Sequence, residues 1–191
     1  MAYLLELVGS TIIGGLVILM ILQLNSSILD SSTTLSMDKL SQTNLTSLVE
    51  EIEYDLRKIG FKATTGAKII TAGTNTISYR CDIDNNGTID TVAYLMSDTT
   101  ALSSTANPRD RLLYRTVNGS PSNLTSNLGV TNFRLWYYTS GGALTTTASQ
   151  VRSVKFALTI EGVYPFRRQF EDTLYVSGAY IERIIQPNNL R

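Results

Sequence analysis

The first 60 residues carry two hydrophobic patterns in succession. Residues 7–24 (LVGSTIIGGLVILMILQL) form a run of 18 without a charged side chain. At about 1.5 Å per residue, a helix of this length approaches the roughly 30 Å of a bilayer core. A cleaved secretory signal is the alternative, but no Lys or Arg precedes the run and Asn25-Ser26-Ser27 is a poor match to a cleavage site. We therefore expect a retained apolar helix.

The second pattern is amphipathic. Apolar residues recur at helical spacing on one stripe, and charged side chains fill most positions between them. The stripe consists of Leu45, Leu48, Ile52, Leu56 and Ile59. Because residues 1–59 lack proline and Gly60 is a stop signal, the sequence predicts one long helix that ends there. Its first half suits lipid or a helix bundle, and its second half suits the surface of a globular domain.

From residue 61 onward, β-rich runs alternate with turn residues. The predicted strands are 68–72, 76–82, 88–96, 111–117, 132–139, 151–161 and 167–176. In 151–161 every second residue is apolar from Val154 to Ile160, as expected for a sheet with one buried face. The sequence thus predicts an α+β protein with a long N-terminal helix followed by an antiparallel β-sheet domain. Its parts are an apolar helix (1–29), an amphipathic helix (30–60) and a β-rich head (61–191).

Composition narrows the functions that this architecture can serve. The chain has 16 Lys plus Arg, 16 Asp plus Glu, no histidine and one cysteine, Cys81. A neutral charge balance argues against nucleic acid as a partner. The missing histidine excludes Ser-His-Asp and Cys-His catalysis, and a lone cysteine forms neither an internal disulfide nor a cysteine-rich metal site. We expect that the chain is not an enzyme.

Glu6 is the only charged side chain in residues 1–29. It either marks the water interface at the helix start, where the helix dipole favours an anion, or pairs with the amino terminus of a neighbouring identical subunit. Small residues four positions apart follow it and permit close helix approach. The predicted assembly residues are Glu6, Ser10, Gly14 and Gly15.

Residues 82–90 (DIDNNGTID) form the one metal-like motif. Oxygen-bearing side chains occupy loop positions 1, 3, 5 and 9, with glycine at position 6, as in Ca²⁺ loops. Position 12 is Ala93 in place of a bidentate Glu, and the flanking segments predict strands in place of EF-hand helices. A hairpin tip that turns at Asn86-Gly87 is therefore favoured, without a cofactor, and Ca²⁺ is the alternative. The candidate ligands are Asp82, Asp84, Asn86 and Asp90.

Taken together, these residues resemble the type IV pilin-like superfamily. Its members begin with an apolar helix that carries an early glutamate, and residues 4–8 (LLELV) are similar to that start. Residues 48–61 (LVEEIEYDLRKIGF) resemble the helix end of the J-type minor pseudopilins of type II secretion and the W-type minor pilins. The blocks 111–115 (RLLYR), 129–133 (GVTNF) and 151–155 (VRSVK) are similar to later blocks of those proteins, in the same order.

The resemblance implies the type IV pilin fold and a structural role. Subunits would wait in the inner membrane and then be assembled, by pilus or type II secretion machinery, into a helical surface filament. There the apolar helix would pack against copies of itself or other pilins, with Glu6 setting the register; a major and a minor subunit both remain open. The alternative is a single-span membrane-anchored extracytoplasmic binding module that does not polymerise, with or without dependence on Ca²⁺. A membrane-anchored hydrolase is disfavoured.

Overall fold

A computed structural model of the protein describes residues 2–103, 105–123, 129–162 and 178–190. These residues form one long helix, α1 (Ala2–Arg57), which is followed by eight strands. The strands are β1 (Ile69–Ala72), β2 (Thr76–Cys81), β3 (Asp90–Met96), β4 (Leu113–Val117), β5 (Ser120–Asn123), β6 (Val130–Tyr138), β7 (Ser153–Ile160) and β8 (Ala179–Ile185). Short 3₁₀ helices span Thr99–Leu102, Ala148–Gln150 and Asn188–Leu190.

The strands form two antiparallel sheets. Strands β1 to β5 follow one another in chain order across the first sheet, and β6, β7 and β8 do the same in the second. Backbone hydrogen bonds link the two sheets, since Leu135 of β6 donates to the carbonyl of Thr74 in the loop between β1 and β2. A long helix followed by antiparallel sheets confirms the predicted α+β class.

Helix α1 runs without interruption for 56 residues, or about 84 Å. It ends at Arg57, three residues before the predicted stop, and a tight turn continues to Gly60. In that turn Lys58 N donates to the carbonyl of Asp55 over 3.1 Å. Gly60 has a positive φ of 74°, and a Cβ there would lie 2.9 Å from Lys68 Cδ. Both features favour glycine at this position.

The hydrophobic core lies between the end of α1 and the two sheets. The predicted stripe of α1 is confirmed, because all five of its residues are buried: Leu45, Leu48, Ile52, Leu56 and Ile59. They pack against buried side chains of both sheets, such as Tyr94 of β3 and Phe156 of β7. The apolar face predicted for 151–161 is also buried from Val154 to Ile160. Burial of these side chains holds the C-terminal quarter of α1 to the head.

Two strands differ from the sequence prediction. Strand β5 lies within a segment that predicts only a turn, and β8 follows a predicted strand, 167–176, that lies outside the described residues. β5 pairs with β4 directly after the turn, with Val117 opposite Ser120. β8 pairs with β7, with Val154 opposite Ile185. Each of the two is the last strand in the order of its sheet.

Candidate functional site

The N-terminal half of α1 presents apolar side chains on all its sides. The exposed large hydrophobic residues run from Tyr3 to Leu40, and most are between half and two thirds exposed. This is the one helix in the described part of the chain that is long and apolar enough to span a membrane, and none of its most apolar window is buried. A membrane anchor and a signal sequence both have this character.

The predicted assembly residues lie on this exposed half, but not on one side of it. Glu6, Ser10 and Gly14 follow one another at intervals of four, which places them along one side of the helix. Gly15 is nine positions after Glu6, which corresponds to a rotation of about 180°. Gly15 therefore faces the opposite side, and the four residues do not form a single patch.

Small side chains in this region leave the helix surface open. A Cβ added at Gly14 or Gly15 would meet nothing within 4 Å. The hydroxyl of Ser10 donates to the carbonyl of Leu7 over 2.9 Å, so its polar group is satisfied within the helix. The surface offered at these positions is thus apolar and smooth, which suits close contact with another helix or with lipid.

The loop of residues 82–89 connects β2 to β3, as the flanking strands predict. Cys81 and Asp90 face each other as the last residue pair of the β2–β3 ladder. The turn is longer than a two-residue hairpin, and the positive φ angles fall at Asn85 and Gly87. The predicted hairpin is therefore present, but Asn86-Gly87 does not form a two-residue turn, because residues 82–89 make a wider loop.

Three of the four predicted ligands come together in this loop. One carboxylate oxygen each from Asp82, Asp84 and Asp90 lies within 4.8 Å of the others. Asp82 and Asp90 are buried, whereas Asp84 is exposed to solvent. Asn86 instead supports the loop, since its Nδ2 donates to Asp84 Oδ2 over 2.8 Å and its Oδ1 accepts from Thr88 N over 2.7 Å.

Two cations lie against the acidic loop. Lys62 Nζ donates to Asp82 Oδ2 over 2.7 Å, and Lys58 Nζ donates to the carbonyl of Ile83. The hydrogen bond from Lys62 lowers the pKa of Asp82, against an opposing effect of burial, and the backbone amide of Gly87 lowers it further. Asp82 is therefore ionised at neutral pH.

A second cluster, which the sequence did not reveal, joins α1 to the first sheet. Asp55 of α1 is buried, and its Oδ2 accepts from Arg115 Nε over 2.6 Å and from Tyr94 Oη over 2.7 Å. The Asp55 hydrogen bond raises the pKa of Arg115, and burial raises that of Tyr94. The guanidinium therefore stays charged, the phenol stays neutral, and the cluster is structural in character.

Cys81 lies in the core beneath the acidic loop. Its side chain is fully buried, and burial raises the pKa of the thiol to about 12. A thiol of this kind is inert toward nucleophilic chemistry at neutral pH. Cys81 is thus a packing residue, as a small apolar side chain would be.

Comparisons with known proteins leave the chain to be interpreted from its own residues. No protein-family model matches it, and no similar sequence was found among curated proteins.

Proposed function

We propose that the chain is the structural subunit of a type IV pilin-like filament, either a pilus or a secretion pseudopilus, and that it has no enzymatic role. The observation that carries this proposal is the contrast along α1. One face of its last quarter is buried against the head, whereas the described large apolar side chains of its first half are all exposed. Exposed apolar surface costs free energy in water, so this half must be covered by lipid or by other helices.

In a filament subunit, the apolar half of α1 is covered first by lipid and then by other helices. Before assembly the apolar half of α1 lies in the inner membrane, and after assembly it packs against the same half of neighbouring subunits. The head stays in water in both states, because its own core is closed by α1 and the two sheets. The length of α1, about 84 Å, separates the two regions enough for heads to lie outside a core of packed helices. This arrangement supports the proposed type IV pilin fold.

Glu6 supplies the polar contact of this assembly. Its carboxylate is exposed and lies beside apolar residues such as Leu7. In a filament core it pairs with an amino terminus of a neighbouring subunit, which satisfies both charges and sets the register between subunits. Ser10 and Gly14 continue along the same side of α1 and allow the neighbouring helix to approach.

The test is the yield of surface filaments from the native host. Material sheared from cells is examined by electron microscopy and mass spectrometry for wild type, Glu6→Gln and Glu50→Gln. Glu50 is an exposed glutamate on the head-proximal part of α1, so the second variant makes the same chemical change away from the apolar half. We expect a loss of at least tenfold in incorporated subunit for Glu6→Gln and no change for Glu50→Gln.

Two results would count against the proposal. Wild-type incorporation of Glu6→Gln would refute the pairing. Recovery of the wild-type chain only from the membrane fraction, with none in sheared filaments, would favour the anchored binding module.

A further inference from the structure

The acidic loop brings together three carboxylates that repel one another. Asp82, Asp84 and Asp90 each contribute one oxygen within 4.8 Å of the others. Asp82 is fully buried and Asp90 nearly so, while Asp84 lies at the surface. Like charges at this separation oppose each other strongly where the surroundings exclude water. The loop is therefore open to solvent at Asp84 and closed behind Asp82 and Asp90.

One oxygen of Asp82 is buried without a partner. Asp82 Oδ2 accepts from Lys62 Nζ and from Gly87 N over 2.9 Å. In contrast, Asp82 Oδ1 has no hydrogen-bond partner among the described residues, although it is shielded from solvent. An ionised oxygen buried in this way is costly unless it is satisfied. This orphan oxygen is independent of the spacing of the loop, and a bound cation would satisfy it.

The other two carboxylates are held in place and still have free lone pairs. Asp90 Oδ2 accepts from Ile83 N over 3.2 Å, and its Oδ1 accepts from Asn118 Nδ2 over 2.7 Å. Asp84 accepts from the backbone and side chain of Asn86. A carboxylate oxygen can accept more than one contact, so these hydrogen bonds orient the groups without exhausting them.

Lys62 neutralises only part of the charge. Its ammonium contacts Asp82, and Lys58 contacts the Ile83 carbonyl, so two monovalent cations lie against three carboxylates. The side chain of Lys62 is 42% exposed, whereas that of Asp82 is fully buried. Lys62 can therefore move into solvent when a cation of higher charge arrives, while the carboxylate cannot.

We propose that this loop is a Ca²⁺ site in which Asp82, Asp84 and Asp90 each supply a carboxylate oxygen. Asp82 Oδ1 is the buried ligand, and Lys62 holds the site in the ion-free state. All candidate ligands are hard oxygens in a loop of irregular geometry, which Ca²⁺ tolerates better than Mg²⁺. Since position 12 is Ala93, water completes the coordination, and we expect a dissociation constant of about 0.1–1 mM, as in extracellular Ca²⁺ modules.

The site does not depend on the proposed filament. Calcium binding is measured on the full chain in detergent micelles, by calorimetry and by thermal unfolding with Ca²⁺ and with Mg²⁺. We expect 10 mM Ca²⁺ to raise the Tm by about 3 °C or more, and the same Mg²⁺ concentration to have less than half this effect. Absence of both heat and a Tm shift at 10 mM Ca²⁺ would overturn the proposal.

Three variants separate metal binding from loop stability. Asp84→Asn changes an exposed ligand and should weaken Ca²⁺ binding at least tenfold, whereas Asp98→Asn, outside the loop, should leave it unchanged. Lys62→Gln removes the competing ammonium, so it should lower the Tm without Ca²⁺ and strengthen Ca²⁺ binding severalfold. A purely structural role for Lys62 predicts no gain in affinity. Wild-type affinity in Asp84→Asn, or no gain in Lys62→Gln, would therefore contradict the proposal.

Discussion

Asp55 near the end of α1 and Arg115 on β4 form an ion pair whose carboxylate is buried, with 2.6 Å between Asp55 Oδ2 and Arg115 Nε. Tyr94 of β3 donates to the same oxygen. The pair connects residues 60 positions apart in the chain and ties the helix to the first sheet. Its geometry orients the head on the helix, because the Asp55 carboxylate is buried there and the Arg115 side chain is only 20% exposed.

Removing one partner of this pair should destabilise the head strongly. Arg115→Met leaves the Asp55 carboxylate buried without its cation, and we expect a loss of about 3 kcal/mol or more in the free energy of unfolding. Denaturant unfolding in micelles measures it. The double variant Asp55→Leu/Arg115→Met should recover part of the loss, since no charge is then left buried.

An exposed ion pair on the same helix is the control. Arg57 Nη2 lies 3.4 Å from Glu53 Oε2, and the Arg57 side chain is 66% exposed. Arg57→Met should therefore cost less than about 0.5 kcal/mol. Equal losses in Arg57→Met and Arg115→Met would show that burial does not distinguish the two pairs.

The same truncation should have different effects at two isoleucines of α1. Ile52 is fully buried, so Ile52→Ala should lower the free energy of unfolding of the head by about 2–5 kcal/mol. Ile12 is 58% exposed on the apolar half, and Ile12→Ala should leave head stability unchanged. Denaturant unfolding of both variants gives the comparison. Destabilisation of the head by Ile12→Ala would contradict the exposed position of that residue.

Asp110 should make head stability depend on pH. Its side chain is buried, and its pKa is raised chiefly by burial, with Glu161 raising it and both Thr105 and Arg109 lowering it. A raised pKa in the folded state means that the contribution of this group is greatest below its unfolded pKa of about 3.9. That contribution is lost as the pH rises through the folded value.

Asp110→Asn removes this dependence. The free energy of unfolding of wild type, minus that of the variant, should therefore fall between pH 3.5 and pH 7. Taking the difference cancels the titration of the other carboxylates. A difference that rises with pH would mean that the folded state favours the ionised form of Asp110.

Cys81 should resist thiol reagents while the head is folded. Its side chain has no exposed surface, so a reagent reaches it only after opening of the sheet. We expect labelling at least about 100-fold slower in native micelles than in denaturant at the same pH. Rates within a factor of ten of each other would indicate that β2 opens readily.

Sequence periodicity was sufficient to predict a buried face where one pattern repeats over several helical turns or along a whole strand. The stripe from Leu45 to Ile59 and the alternation from Val154 to Ile160 each have a single buried face, and both are buried as predicted. The α+β class follows from them. Whether the head adopts the finer type IV pilin fold stays a prediction.

Strands β5 and β8, each at one edge of its sheet, could not be predicted in this way. β5 (SPSN) has no apolar residue, and it forms because Asn118 and Gly119 both adopt positive φ, 52° and 81°, and return the chain beside β4. β8 carries Glu182 on one side and Arg183 on the other, so neither face reads as buried. Pairing with a neighbouring strand, and not side-chain pattern, forms both.

The candidate sites were only partly visible in the sequence. The spacing of residues 82–90 identified three carboxylates that do meet, but the buried oxygen of Asp82 depends on packing beneath the loop. Asp55 and Arg115 have no local signal that joins them, because their contact depends on how α1 lies on the sheet. Gly15 was predicted because it lies four positions after another small residue, Thr11, although helical rotation places it on the side of α1 opposite Glu6.

The part of α1 that is buried against the head is much shorter than the part that projects from it. The buried positions of α1 begin at Ser41, which leaves about 60 Å of helix projecting beyond the head. A tilt of about 5° at the buried end would displace the far end by about 5 Å, roughly one helical turn. A small change in the angle between the head and α1, at Asp55 and Arg115, thus becomes a large displacement of Glu6. The orientation of the head on α1 therefore determines the position of the distant carboxylate.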